Sequence, residues 1–312
     1  MAHLDKTRYR YGNERFRRMF ENTLDKNLAR AIDLVNEEGL YFGTFYIIMP
    51  RFFEYSYYEK LKAKLKNCVK ICEAILENRV LANEELKDTY KWMIETGFYD
   101  DGMDDKFDEM LDKICAIYIQ NYNDKSVLSI ISNAIFKRNR EKMCKQNLLW
   151  AYFQCKDIDC LKHILGYINS PRKEDYLLAA ELLGIKEIAD DRAQRAKQYE
   201  EYKKWLQENE GYFYYTGYEN QFCQSPKYFE VDVEAKYLCK KISTHNAAPL
   251  EPLSRFELNA LTDFRKLDEK TKIALCEYSH KKKNQSEYEW EKFIKSPIDE
   301  QIRDAIKNRG II

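Results

Sequence analysis

Glycine and proline are scarce: 10 and 6 of them in 312 residues, where average usage of about 7% and 5% gives on the order of 37 together. Glycine supplies positive-φ positions and close backbone approaches, and proline supplies fixed bends. A chain poor in both has little material for tight turns or for glycine-rich loops around phosphates. It has much for long uninterrupted helices. No GxGxxG, GxxxxGK[ST] or GxSxG pattern occurs, which removes the usual dinucleotide, P-loop and serine-hydrolase readings.

An excess of either charge is also lacking. Lys plus Arg and Asp plus Glu both number 52, so no global field draws the chain to nucleic acid or to an anionic membrane, and any such contact must be local. Long apolar runs are missing as well. The longest, Leu40 to Met49, is about half of the roughly 20 residues that a membrane span needs. The nine cysteines are odd in number and scattered, which predicts free, mostly buried thiols in a reducing compartment. The N-terminus is charged from Asp5 to Arg18 and has no signal-peptide pattern. The expectation is a cytoplasmic protein.

What the chain does have is helical periodicity. Phe16, Met19, Phe20, Leu24, Leu28, Ala31, Ile32 and Val35 predict a first helix after Asn13, stopped by Gly39. Ser56 with Glu59 reads as a capping box before a stripe from Leu61 to Val80. Further helices are expected after Asn83 and after the acidic run Asp100 to Asp105. Others are expected over 124–137, 140–154, 158–168 and 173–183, the last halted by Gly184. Leu148 to Ile168, jointed at Cys155-Lys156-Asp157, reads as an antiparallel helix pair of the kind found in α-solenoids, although no fixed-period repeat is present. Lys186 to Glu210 reads as a long, mostly exposed helix.

The texture changes at Gly211. Tyr212 to Thr216 and Tyr228 to Val233 are aromatic and β-branched, with turn formers between them, and predict a strand hairpin. Ser243 to Pro252 reads as a linker, Ser254 with Glu257 as a capping box, and Ser296-Pro297 as a further helix start. The expected fold is therefore mainly α: a multi-helix array, solenoid-like or an irregular bundle, over residues 1–210. A smaller α+β lobe over 211–312 would contain a two- or three-stranded element.

Candidate sites are few. The histidines (His3, His163, His245, His280) stand apart from one another, and Cys68 with Cys72 lies on an apolar helical stripe, so no metal site or cofactor is expected. The carboxylates from Asp100 to Glu109 have glycine and glutamate at the wrong positions for a calcium loop, and they suit a helix start. Two segments remain. Tyr214, Tyr215, Tyr218, Phe222 and Tyr228 form an aromatic cluster suited to a protein interface or to pinning the hairpin. Residues 1–20 carry six basic side chains (Lys6, Arg8, Arg10, Arg15, Arg17, Arg18) against two acidic ones, with Tyr9, Tyr11 and Phe16 among them. Arginines with aromatic rings suit single-stranded nucleic acid.

The leading functional reading is a non-enzymatic interaction or scaffold protein that presents a helical surface and a Tyr-rich hairpin to a protein partner or to another copy. The alternative is a nucleic-acid-binding protein that uses Arg8, Arg10, Arg15, Arg17 and Arg18. A third is an enzyme whose site is assembled from residues distant in sequence.

Overall fold

The structure, a computed structural model, describes residues 1–218 and 227–309. The chain is mainly α-helical, with 18 α-helices and one two-stranded antiparallel sheet among the described residues. It divides into two compact units, 1–155 and 156–312. The division falls on the Cys155-Lys156-Asp157 joint, and the compositional change at 211 lies inside the second unit.

The first unit holds α1 (His3–Tyr11), α2 (Asn13–Lys26), α3 (Leu28–Val35), α4 (Phe42–Ile48), α5 (Tyr55–Tyr58), α6 (Ala63–Leu76), α7 (Lys87–Gly97), α8 (Asp105–Tyr122), α9 (Leu128–Glu141) and α10 (Gln146–Phe153). The second holds α11 (Asp159–Leu165), α12 (Lys173–Leu183), α13 (Arg192–Asn209), β1 (Phe213–Tyr218), β2 (Lys227–Val231), α14 (Val233–Tyr237), α15 (Arg255–Phe264), α16 (Glu269–Gln285), α17 (Glu287–Lys295) and α18 (Ile298–Arg309).

Two corrections concern the start of the chain. A helix, α1, precedes Asn13; the Asp5 carboxylate accepts the Ala2 N–H at 2.8 Å and supports its first turn. The stripe from Phe16 to Val35 is carried by two helices, not one. Asn27 (φ −150°) interrupts it and caps α3 by accepting the Arg30 N–H at 3.0 Å. The Ser56–Glu59 box does not start the next long helix, which begins at Ala63 after Lys62. Other signals match. The N-cap Ser254 Oγ accepts the Glu257 N–H at 3.4 Å, and the Glu257 carboxylate accepts the Ser254 N–H at 2.6 Å. Gly184 (φ +69°) closes α12.

The apolar run that began at Leu40 becomes α4, in which only Tyr46 escapes full burial. A helix apolar all round belongs inside a core. Phe42 and Phe45 of α4 meet Phe107 and Phe52, with ring centroids 5.5 and 5.9 Å apart. Among the described residues, no helix is long and apolar enough to cross a membrane.

In the second unit, β1 and β2 pair with Phe213 opposite Val231 and Tyr215 opposite Phe229. The register shifts between Tyr215 and Tyr218, where Gly217 (φ +73°) takes a conformation that disfavours a side chain. A second core gathers Tyr237, Phe264, Leu275, Trp290 and Phe293 from α14 to α17.

Gly43 of α4 admits the carboxylate of Asp100: a Cβ there would lie 2.7 Å from Asp100 Cγ. Gly43→Ala should therefore lower stability by about 1–3 kcal/mol, the usual range for overpacking a filled interior. An unchanged urea midpoint would show that Asp100 can move aside.

Candidate functional site

The acidic turn after α7 proves to be a structural junction. Arg8 of α1 pairs with Asp100, both almost wholly buried. The Arg8 Nε donates to Thr44 Oγ1 of α4 at 2.9 Å, and the Tyr9 hydroxyl donates to the same carboxylate at 2.8 Å. Next in sequence, Asp101 receives Arg138 of α9, with Nη2 at 2.6 Å and Nε at 2.8 Å. The same guanidinium reaches Asp112 of α8 at 2.8 Å and the Cys144 carbonyl at 3.2 Å. Asp104 caps α8 through the Phe107 N–H, and Asp108 accepts the Gly102 N–H, both at 2.9 Å. Asp100, Asp101, Asp104 and Asp108 thus each have an internal role.

One arginine serves two buried carboxylates here. Burial pushes the Asp112 carboxyl up to about 7; Arg138 opposes this, and Asp101 adds to it. Arg138 itself is held firmly charged by Asp101 and Asp112 against its own burial. Burial likewise raises the Cys68 thiol, with the neighbouring Cys72 adding to the effect. Every cysteine among the described residues is a free thiol, and no group of three or more His, Cys, Asp or Glu is placed to hold a metal ion.

The arginines singled out in the sequence have separate fates. Arg8 is only 3% exposed and is engaged with Asp100, so it is not part of any surface. Arg10 and Arg15 are exposed, with their guanidinium carbons 5.2 and 4.9 Å from the centroid of the Tyr11 ring. Arg17 reaches Glu14 at 3.8 Å, one turn back. Arg18 is exposed.

Beside Tyr11, helices α1, α2 and α3 enclose a groove of about 640 Å³. Its rim carries His3, Lys6 and Arg10 from α1, Lys26 from α2 and Arg30 from α3. Among the described residues no Asp or Glu lines it. Leu4, Phe16 and Phe20 form the floor but are only 4%, 1% and 2% exposed, covered by their neighbours. Lys26 and Arg30 are not among the residues singled out in the sequence, and His3 is noted there only as an isolated histidine. The signal for them was the break at Asn27, which turns α3 back so that Arg30 joins Lys6 and Arg10.

The aromatic cluster of the second unit lies mostly inside it. Tyr228 is buried, Tyr214 and Tyr215 are half-buried, the side chain of Tyr218 is not described and Phe222 lies outside the described residues. The Tyr214 hydroxyl donates to Glu230 at 2.9 Å, and the Tyr215 ring meets Phe229 edge-on at 5.7 Å. Phe213, Tyr228 and Phe229 face Leu161, Leu183, Tyr202 and Trp205 across an apolar groove of about 430 Å³.

No protein-family model, curated protein or solved structure matches this chain.

The raised Asp112 value has a testable sign. An unfolded-chain aspartate titrates near about 3.9, so the folded state holds the extra proton, and the contribution of Asp112 to stability falls as pH rises from about 4 to about 7. In urea unfolding across this window, the wild type should lose stability relative to Asp112→Asn, by up to about 4 kcal/mol. Parallel profiles would mean that Asp112 is ionised throughout.

Proposed function

We propose that this chain is a binding protein whose working surface is the basic groove between α1, α2 and α3, and that the groove takes a polyanionic partner. The observation behind this reading is the segregation of charge: four Lys and Arg side chains, together with His3 and no carboxylate, line one concave site in a chain of net charge zero. Cations gathered in a cleft with a low-dielectric floor focus their field on whatever enters. Elsewhere a number of surface cations sit against carboxylates, as in the exposed pairs Lys113–Glu109, Lys266–Asp263 and Lys295–Glu291, each at 2.8 Å.

An interface at the hairpin has less support. Its described aromatic rings engage one another or their own unit, and Lys156 already lies 5.4 Å from the centre of the Tyr215 ring. The half-exposed edges of Tyr214 and Tyr215 are what that reading retains.

Fluorescein-labelled heparin, a polyanion without bases, tests the groove. Binding followed by anisotropy should weaken as KCl rises. The double variant Lys6→Glu/Arg30→Glu should lose roughly tenfold or more in affinity, about 1.4 kcal/mol, with its melting temperature little changed because both side chains are exposed. Salt-independent binding, or a variant that binds like the wild type, would contradict the proposal.

A further inference from the structure

Resting on that reading, we infer that the polyanion taken by the groove is a single-stranded polynucleotide, RNA or DNA, with a base stacked on the platform formed by Tyr11, Arg10 and Arg15. An acidic amphipathic helix would need apolar surface to bury, and the groove offers it only Met19 and part of Leu34, because Leu4, Phe16 and Phe20 are already covered. The other open features are flat or polar. The half-buried Tyr11 ring and the guanidiniums within 5.2 Å of its centre make a surface on which any base can stack.

Neutral groups among the cations point the same way. The hydroxyls of Thr7 and Thr23 donate to the carbonyls of His3 and Met19, each at 2.9 Å, which leaves their oxygens as acceptors. Phosphate and sulfate oxygens have no hydrogen to offer such acceptors, whereas the amino groups of bases do. Asn27 uses its amide oxygen to cap α3, which leaves its NH2 to donate to a base carbonyl or ring nitrogen. Lys6, Lys26 and Arg30 then take the phosphates.

The test uses the full-length chain and fluorescein-labelled 12-mers: oligo(dA), oligo(rA), an abasic strand of the same charge and a dA·dT duplex. Wild-type protein should bind oligo(dA) or oligo(rA) roughly tenfold tighter than the abasic strand and than the duplex, and the tighter of the two names the sugar. With three cations on phosphates, the slope of log K against log salt should be about −2. Tyr11→Ala should reduce the preference over the abasic strand to within about twofold, while Tyr11→Phe retains it, as stacking on a ring requires. Equal binding of oligo(dA), the abasic strand and heparin would overturn this inference and leave the polyanion reading standing. Duplex bound as tightly as single strand would also overturn it. Failure of every probe to bind would overturn both.

Discussion

Two adjacent aspartates, Asp100 and Asp101, receive arginines from opposite ends of the first unit: Arg8 from α1 and Arg138 from α9. Buried ion pairs bring little net stability over apolar packing, but losing one partner leaves a charge stranded in a low dielectric, at a cost of about 3–5 kcal/mol. That asymmetry makes the junction a strong constraint on arrangement. Every helix that supplies a partner must sit where its side chain reaches the turn. The core accommodates this with a glycine and a threonine in α4. Gly43 leaves space for the Asp100 carboxylate, and Thr44 accepts from Arg8.

The same constraint shapes the basic groove. Successive helical residues are turned by about 100°, so residues two apart point in nearly opposite directions. With Arg8 drawn inward, Lys6 and Arg10 face outward together. The pairing of Arg8 with Asp100 thereby orients the opposite face of α1 beside α2 and α3. Arg8 thus acts on the groove from behind.

Much of the architecture was legible in the sequence, because the signals were local. Helix α12 ends at Gly184 as its periodicity predicts, the Ser254–Glu257 box forms, and the alternation around Tyr228 becomes β2. What was not legible depended on distant partners. Helix α1 lacks an apolar stripe; besides Leu4, the residues it buries are Asp5 and Arg8, whose partners lie far along the chain. Arg8 therefore looked like one more surface cation. The acidic run was recognised as a helix start, but Asp100 and Asp101 could not be matched to Arg8 and Arg138 from spacing alone. Lys26 and Arg30 seemed unrelated to Lys6 until Asn27 broke the expected single helix.

Hydrogen exchange on Asp100→Asn tests the central role of the junction most directly. The substitution keeps the shape of the side chain, removes its charge and leaves Arg8 buried without its counter-ion. The account predicts that amides of residues 3–11 exchange at least roughly tenfold faster than in the wild type, while those of the second unit keep their protection. Unchanged protection over residues 3–11 would contradict it and would show that α1 is held by apolar packing instead.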